Sequence, residues 1–158
     1  MGAGKSAVGR QLARTLHLTF MDSDDEIESR TGVDIPFIFE KEGEAGFRKR
    51  EAAAIDDLTK IDGVVLATGG GAIADAESRS RLGGRGFVVY LYTTVEQQFA
   101  RTNRGRERPL LENGDRRAIL ESLLEQRDPL YREIADLVVD TDGRKVHSVA
   151  NEIIQQIS

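Results

Sequence analysis

Short apolar runs rich in β-branched and aromatic residues alternate with segments of helical periodicity along the whole chain. The apolar runs cover residues 18–21, 64–67, 87–92 and 137–139. Strands that alternate with helices are typical of a parallel sheet whose two faces are covered by helices. The sequence therefore predicts an α/β fold of the P-loop type, with three layers in which a parallel sheet lies between helices.

The helices are predicted from apolar residues that recur every three or four positions. This spacing covers residues 8–16, 47–58 and 119–124, and further helices are predicted after Asp34, after Ala74 and over residues 145–157. Asp34 is a favourable N-cap residue, and Pro36 is tolerated in the first turn that would follow it. The predicted helices fill the intervals between the apolar runs, as a doubly wound sheet requires.

The size and composition of the chain limit its class. A length of 158 residues suits one hydrophobic core, so residues 1–158 are predicted to form a single domain. The net charge of −5 disfavours nucleic acid as a partner. The sequence contains no cysteine, which excludes thiolate metal sites and permits the reducing cytoplasm, where we expect the protein. No run approaches 18 apolar residues, so no membrane partner is expected.

The amino end of the chain carries a phosphate-binding motif. It consists of Gly2, Ala3, Gly4, Lys5, Ser6 and Ala7, which match the right-hand end of the P-loop pattern G-x-x-x-x-G-K-[ST]. Glycines let successive backbone N–H groups face one anion, and the following helix adds its positive end. We therefore expect ATP binding here, with Lys5 at the β- and γ-phosphates and Ser6 at Mg²⁺. The same residues also fit a less specific N-myristoylation pattern.

Two acidic residues, Asp22 and Asp24, follow the first apolar run. Ligands of parallel α/β sheets bind at the carboxyl ends of strands, so these carboxylates should lie near the P-loop. In an extended chain, residues two apart face the same side, which would direct both carboxylates to one site. Acidic residues that open a helix can also act only as caps, and both interpretations remain open at this point.

Three consecutive glycines, Gly69, Gly70 and Gly71, follow the second apolar run. Such a run is expected where a ligand approaches the backbone closely, although a loose turn would also explain it. Arg48 and Arg127 are far apart in the sequence and could together bind a carboxylate in a bidentate manner. Considered singly, each arginine would more often be a solvated surface residue.

Residues 102–116 differ from their surroundings, because they contain Gly105, Pro109 and Gly114, lack apolar periodicity and are rich in basic side chains. Glycine and proline interrupt regular structure. The segment is therefore predicted to be a basic loop.

These pieces together resemble the shikimate kinase family, within the nucleoside monophosphate kinase branch of P-loop proteins. The resemblance covers nearly the whole chain through six ordered blocks, MGAGKS, FMDSDDEIE, IFEKEGEAGFRKRE, LATGGGAI, RPLL and RDPLY. Gluconate kinases share the P-loop and the overall plan, but the ordered DSD, FR, GGG and RPLL series is closer to shikimate kinases. The resemblance implies a monomeric, cytoplasmic enzyme of aromatic amino-acid biosynthesis that uses ATP and Mg²⁺ to convert shikimate into shikimate 3-phosphate.

The resemblance also implies roles for the acceptor site. Arg48 and Arg127 would bind the shikimate carboxylate, and Asp24 would accept hydrogen bonds from ring hydroxyls and activate the attacking one. Gly70 and Gly71 would offer backbone groups beside the ring. Asp22 would support Mg²⁺ together with Ser6. Phe39 and Phe47 are expected to line the pocket or, with similar weight, to pack in the core.

The basic loop, about residues 102–116, corresponds in the resemblance to a lid. Arg108 would close over the phosphates, and Arg101 would stack on the adenine of ATP. Lys5, Mg²⁺ and Arg108 would then stabilise negative charge on the transferred phosphoryl group. The expected catalytic residues are Lys5, Asp24 and Arg108.

The P-loop motif begins two residues before Met1 when Gly4 to Ser6 are aligned with G-K-[ST]. In the family's sheet order the strand that feeds this loop is central, between the strands at residues 64–67 and 87–92. We therefore expect about ten further residues at the start of the natural protein, and we expect the two flanking strands not to pair directly. Without that strand the chain should be poorly stable and weakly active.

Two other functions fit parts of the sequence. A kinase of another polyol acid, such as gluconate, would also need a P-loop and a carboxylate site. A nucleotide-binding module without catalysis would keep the fold, although it would be expected to have lost Lys5, Asp24 or Arg108, all of which are present. Activity against a panel of hydroxy acids distinguishes the three.

Overall fold

A computed structural model describes residues 4–104 and 116–157 of the chain. These residues form seven α-helices, one 3-10 helix and four β-strands. In chain order the elements are α1 (Lys5–Leu16), β1 (Thr19–Asp22), α2 (Ser23–Thr31), α3 (Ile35–Leu58), β2 (Val64–Ala67), the 3-10 helix (Gly70–Ala74), α4 (Ala76–Arg85), β3 (Val89–Tyr92), α5 (Val95–Arg104), α6 (Arg116–Ile134), β4 (Leu137–Asp140) and α7 (Val146–Ile157).

The four strands form two parallel pairs. β1 pairs with β2 in a register that places Thr19 opposite Val64, and β3 pairs with β4 with Val89 opposite Leu137. All four predicted strands are present, and their ends differ from the prediction by at most two residues. The prediction of parallel strands that alternate with helices is therefore confirmed.

Helices cover both faces of the strands. On one face, α1 and α7 pack against apolar residues of three strands, namely Val65, Val89, Leu91, Leu137 and Val139. Tyr90 alternates with Val89 and Leu91 along β3 and so faces the opposite side, where its ring contacts Tyr131 of α6 at 4.6 Å between centroids. The three-layer arrangement is therefore confirmed, and a single core joins both strand pairs.

Among the described residues, β2 and β3 are not hydrogen-bonded to each other. A cavity of about 470 Å³ is lined by both strands, and its apolar walls include Val8 and Leu12 of α1 and Ile153 of α7. The lack of direct pairing agrees with the expected order of the strands. A further strand between β2 and β3 stays a prediction.

Helix α3 bends sharply at Gly43, whose φ of 72° and ψ of −178° are not helical. Glycine adopts positive φ without the steric penalty of a side chain. Phe39 and Phe47 have ring centroids 4.9 Å apart, and Nη2 of Arg50 lies 2.7 Å from Oε2 of Glu42. In a straight helix, residues eight apart would be separated by about 12 Å along the axis. The two halves of α3 therefore fold towards each other across Gly43.

The start of α3 was predicted correctly, and helix α5 was missed. Asp34 is the N-cap of α3, because its Oδ1 accepts a hydrogen bond of 3.0 Å from the Phe37 N–H. Helix α5 was not predicted, because Val95 and Phe99 are its main apolar residues and its remaining sequence is polar. It continues to Arg104, so the basic loop cannot begin at residue 102 as expected.

Candidate active site

The P-loop segment enters α1 through Gly4, which has a left-handed conformation with φ of 78°. Gly4 is the N-cap of α1 and supplies no side-chain cap. Lys5, Ser6 and Ala7 form the first helical turn. Backbone N–H groups at the start of a helix lack helical acceptors and attract anions. The described part of the predicted motif therefore has the geometry of a phosphate site, whereas Gly2 and Ala3 lie outside the described residues.

Asp22 connects the P-loop with α2. Its Oδ2 accepts a hydrogen bond of 3.3 Å from the Ser6 hydroxyl, and its Oδ1 accepts bonds of 2.8 and 3.4 Å from the N–H groups of Asp24 and Asp25. Asp22 is thus the N-cap of α2 and also faces Ser6. The expected extended geometry of residues 22–24 is wrong, because the helix begins at Ser23. The first turn, and not strand alternation, sets the position of Asp24.

Asp24 is a partly buried carboxyl group close to the P-loop. Its Oδ1 is buried and has no hydrogen-bond partner among the residues that the structure describes. Burial, and next the charge of Asp22, raise the pKa of Asp24, while Lys5 acts in the opposite direction. A carboxylate that is destabilised in this way is a better proton acceptor than an exposed one.

Arg48 lies against the glycine loop. Its Nη1 donates a hydrogen bond of 2.8 Å to Oε1 of Glu51, and a Cβ on Gly71 would lie 2.6 Å from its Cζ. A Cβ on Gly69 would lie 3.2 Å from Oε2 of Glu51 and 3.3 Å from Oδ1 of Asp24. A side chain at position 71 would displace the Arg48 guanidinium, and one at position 69 would make tight contacts with Glu51 and Asp24.

Arg127 lies on α6, and only 9% of the residue is exposed. Burial lowers the pKa of Arg127, and the nearby charge of Arg48 lowers it further. The two arginines are 79 positions apart in the sequence, and both belong to elements that meet at the glycine loop: Arg48 lies against Gly71, and Tyr131, one turn after Arg127, bonds to Gly70. Two cations held together in a poorly solvated place favour an anion between them.

Glu51 and Tyr131 belong to this site and were missed as functional residues. Glu51 is 2% exposed, and burial raises its pKa. The sequence could have predicted its ion pair with Arg48, because residues of opposite charge three positions apart meet on one face of a helix. Tyr131 donates a hydrogen bond to the Gly70 carbonyl. No local sequence pattern indicates a contact between positions 61 residues apart.

The two phenylalanines expected near the pocket contribute mainly to packing. Phe47 is 4% exposed and packs with Ile27, Ile38 and Phe39. The Cζ of Arg48 also lies 5.2 Å from the centroid of the Phe47 ring. Core packing is thus the better interpretation of Phe47, whose ring also lies close to the Arg48 guanidinium.

Two expected nucleotide-binding arginines are not placed. Arg108 lies outside the described residues, and Arg101 belongs to α5 with a side chain outside the described part.

Within residues 4–104 and 116–157, no group of three or more His, Asp or Glu side chains forms a metal site. In the same ranges no helix has the length and apolar character needed to cross a bilayer.

Comparisons with known proteins agree with this geometry. The shikimate kinase family matches residues 1–158. The shikimate kinase of Shewanella amazonensis is 57% identical over 157 residues, which cover 99% of this chain and 92% of the relative. The shikimate kinase of Halorhodospira halophila is 60% identical over 157 residues, with coverage of 99% and 89%.

Solved structures give the same result. The shikimate kinase from Acinetobacter baumannii in complex with shikimate has a TM-score of 0.97 and 52% identity, and the match covers 99% of this chain and 88% of that chain. The shikimate kinase from Aquifex aeolicus has a TM-score of 0.86 and 37% identity, with coverage of 99% and 91%. The site, the fold and the sequence matches all point the same way, and this chain belongs to the shikimate kinase family.

Proposed function

We propose that Arg48 and Arg127 bind the carboxylate of shikimate while Asp24 addresses the hydroxyl that receives the phosphoryl group from ATP. The observation that carries this proposal is the convergence of three elements on the glycine loop: Arg48 lies against Gly71, Asp24 against Gly69, and the helix of Arg127 is joined to Gly70. Shikimate has a carboxylate at one end and hydroxyls at the other, so it matches that separation of charge. Gly70 and Gly71 would contribute backbone groups between the two ends.

The nucleotide would bind at the start of α1. Gly4, Lys5, Ser6 and Ala7 line this helix end, and Gly2 and Ala3 are predicted to complete the loop. The Ser6 hydroxyl and the Asp22 carboxylate lie 3.3 Å apart and are the hard oxygen ligands that Mg²⁺ prefers. Bound there, Mg²⁺ would neutralise charge on the phosphates.

The proposed chemistry needs a proton acceptor and a positive environment. Asp24 would accept the proton of the attacking hydroxyl, and its raised pKa brings its basicity closer to the working pH. Lys5 would stabilise the charge that develops on the transferred phosphoryl oxygens. Arg108 stays a predicted contributor to the same task, and Arg101 stays a predicted adenine contact.

The acceptor specificity can be measured directly with an ATPase-coupled assay across shikimate, gluconate, quinate and related hydroxy acids. We expect shikimate to be phosphorylated with the highest kcat/KM, because family membership and the paired arginines both favour it. Preference for gluconate would support the other polyol-acid kinase. Nucleotide binding without turnover on any acceptor would support the module without catalysis.

Removing either arginine tests the carboxylate site. Arg48→Ala and Arg127→Ala should each weaken shikimate binding by about 3 kcal/mol, roughly 100-fold, because the partner carboxylate loses a desolvated cation. Arg50→Ala is the matched control on α3, since Arg50 pairs with Glu42 at the surface. Calorimetric titration with shikimate and with ATP measures both effects. An equal loss of ATP affinity would contradict assignment of the arginines to the acceptor pocket.

We further infer that the enzyme is a cytoplasmic monomer that binds neither nucleic acid nor membranes. The family resemblance supports the monomer, the lack of cysteine is compatible with a reducing cytoplasm, and the net charge of −5 disfavours nucleic acid. Size-exclusion chromatography coupled to light scattering measures the oligomeric state, and a stable dimer would contradict it.

A further inference from the structure

Tyr131 occupies an unusual position between the two sides of the acceptor site. It lies four residues after Arg127 on α6, on the same face of the helix. Its hydroxyl donates a hydrogen bond to the carbonyl oxygen of Gly70. One side chain therefore joins the helix that carries Arg127 to the loop that carries Gly70 and Gly71.

Arg127 is the charged side chain that most influences this hydroxyl. Burial raises the pKa of Tyr131, while Arg127 acts in the opposite direction. A phenol oxygen can donate one hydrogen bond and accept others at the same time. The hydroxyl donates its proton to Gly70 and therefore keeps lone pairs that can face the positive charge of Arg127, one helical turn away.

The Tyr131 ring is itself fixed by neighbouring side chains. It packs on the ring of Tyr90 at 4.6 Å between centroids. The Tyr90 hydroxyl donates a hydrogen bond of 2.7 Å to Oδ1 of Asp128, and Nε of Arg132 donates one of 2.9 Å to Oδ2 of the same carboxylate. These contacts hold this turn of α6 against β3, so the Tyr131 hydroxyl has little freedom to leave Gly70.

We propose that Tyr131 is a positioning residue that sets the distance between the Arg127 guanidinium and the Gly70 loop, and thereby the fit of the acceptor. This inference rests on the proposed role of Arg127 in binding the shikimate carboxylate. A loop of three glycines has no side chains with which to fix itself, and bound substrates tolerate little misplacement of the groups that orient them. The Tyr131 hydroxyl supplies the missing restraint.

A purely structural role for Tyr131 would give a different result. A buried tyrosine commonly finds one hydrogen-bond partner simply because an unpaired hydroxyl is unfavourable. In that case its removal would lower stability and affect both substrates alike. If Tyr131 is a positioning residue, removal of its hydroxyl should instead weaken the binding of shikimate alone, and this loss should depend on the presence of Arg127.

The test compares Tyr131→Phe with Tyr92→Phe, which removes a hydroxyl from the same aromatic cluster. We expect Tyr131→Phe to raise KM and Kd for shikimate about 10-fold, equivalent to about 1.4 kcal/mol, while KM for ATP changes less than twofold. Tyr92→Phe should leave both KM values unchanged. Equal changes for the two substrates, or unchanged shikimate binding, would overturn the proposal.

A double-mutant cycle identifies the route of the effect. If Tyr131 acts through Arg127, adding Tyr131→Phe to Arg127→Ala should weaken shikimate binding by less than twofold further. A full additional 10-fold loss would show that the two residues act independently and would overturn the proposal. Failure of the parent chain to phosphorylate shikimate would instead contradict the proposed function, so the two failures are distinguishable.

Discussion

Replacement of Asp24 by asparagine is expected to lower kcat about 1000-fold while it makes the folded chain more stable. The loss follows because asparagine cannot accept a proton, and positioned general bases contribute about 10²–10⁴-fold. The gain in stability follows because burial and Asp22 raise the pKa of Asp24, so its ionised form is disfavoured in the folded state. Steady-state kinetics and thermal unfolding at neutral pH measure the two effects.

The gain in stability from Asp24→Asn should depend on pH in a direction that the raised pKa of Asp24 determines. A carboxyl group whose pKa is raised on folding contributes stability below its unfolded pKa, and this contribution is lost as the pH rises through the folded pKa. The difference in Tm between Asp24→Asn and the parent should therefore be largest at neutral pH and disappear in acid. Activity of the parent should fall with decreasing pH earlier than an ordinary aspartate would predict.

Asp25→Asn is the matched control, because Asp25 is the adjacent exposed carboxylate in the same helical turn. It should change neither kcat nor Tm by a comparable amount. An Asp24→Asn enzyme with normal kcat would remove Asp24 from catalysis. A lower Tm at neutral pH would show that the attraction between Asp24 and the charge of Lys5 outweighs the cost of burying the carboxylate.

Fusion of an extended apolar segment ahead of Met1 is the second change with a large expected effect. The cavity between β2 and β3 is lined by apolar side chains such as Val8 and Leu12, and neither strand pairs with the other. Four apolar side chains buried there at about 1.5–3 kcal/mol each would approach the roughly 5–15 kcal/mol stability of a typical domain. A run of Val and Ile followed by Gly-x is the simplest segment to fuse.

Urea unfolding measures the gain in stability of the fused protein, and steady-state kinetics measure its kcat. We expect a higher midpoint and a larger m-value, since more surface would be exposed on unfolding. A Gly-Ser extension of the same length is the control and should change neither quantity. Equal midpoints for the two extensions would contradict a strand site between β2 and β3.

The strands and the P-loop helix could be predicted from sequence because their signals are local. The apolar run at residues 64–67 coincides with β2, and the N-cap role of Asp34 follows from its residue type and position before Pro36. The meeting of Arg48 and Arg127 was predicted only through the family resemblance. Periodicity cannot show which faces of two distant helices meet.

Other features depend on contacts that sequence patterns do not encode. The expected contact of a ligand with Gly71 stays a prediction, and no sequence pattern indicated that the guanidinium of Arg48 also lies against this glycine. One carboxylate oxygen of Asp22 caps α2 and the other accepts a hydrogen bond from Ser6. Residue type alone cannot show which of these two roles an aspartate has. Helix α5 was missed because it has few apolar residues, chiefly Val95 and Phe99, and short helices depend largely on tertiary contacts for their stability.

The bend of α3 at Gly43 gives this helix two amino ends instead of one. Each helix start has backbone N–H groups without helical acceptors and a partial positive charge. Lys41 precedes the bend and Glu44 follows it, so each charge has the sign that stabilises the adjacent helix end. Arg48 lies one turn beyond the second start and only 3.3 Å from Glu44. The bend thereby places a second helix start one turn before Arg48, where Glu44 both faces the positive end of that helix and pairs with the guanidinium.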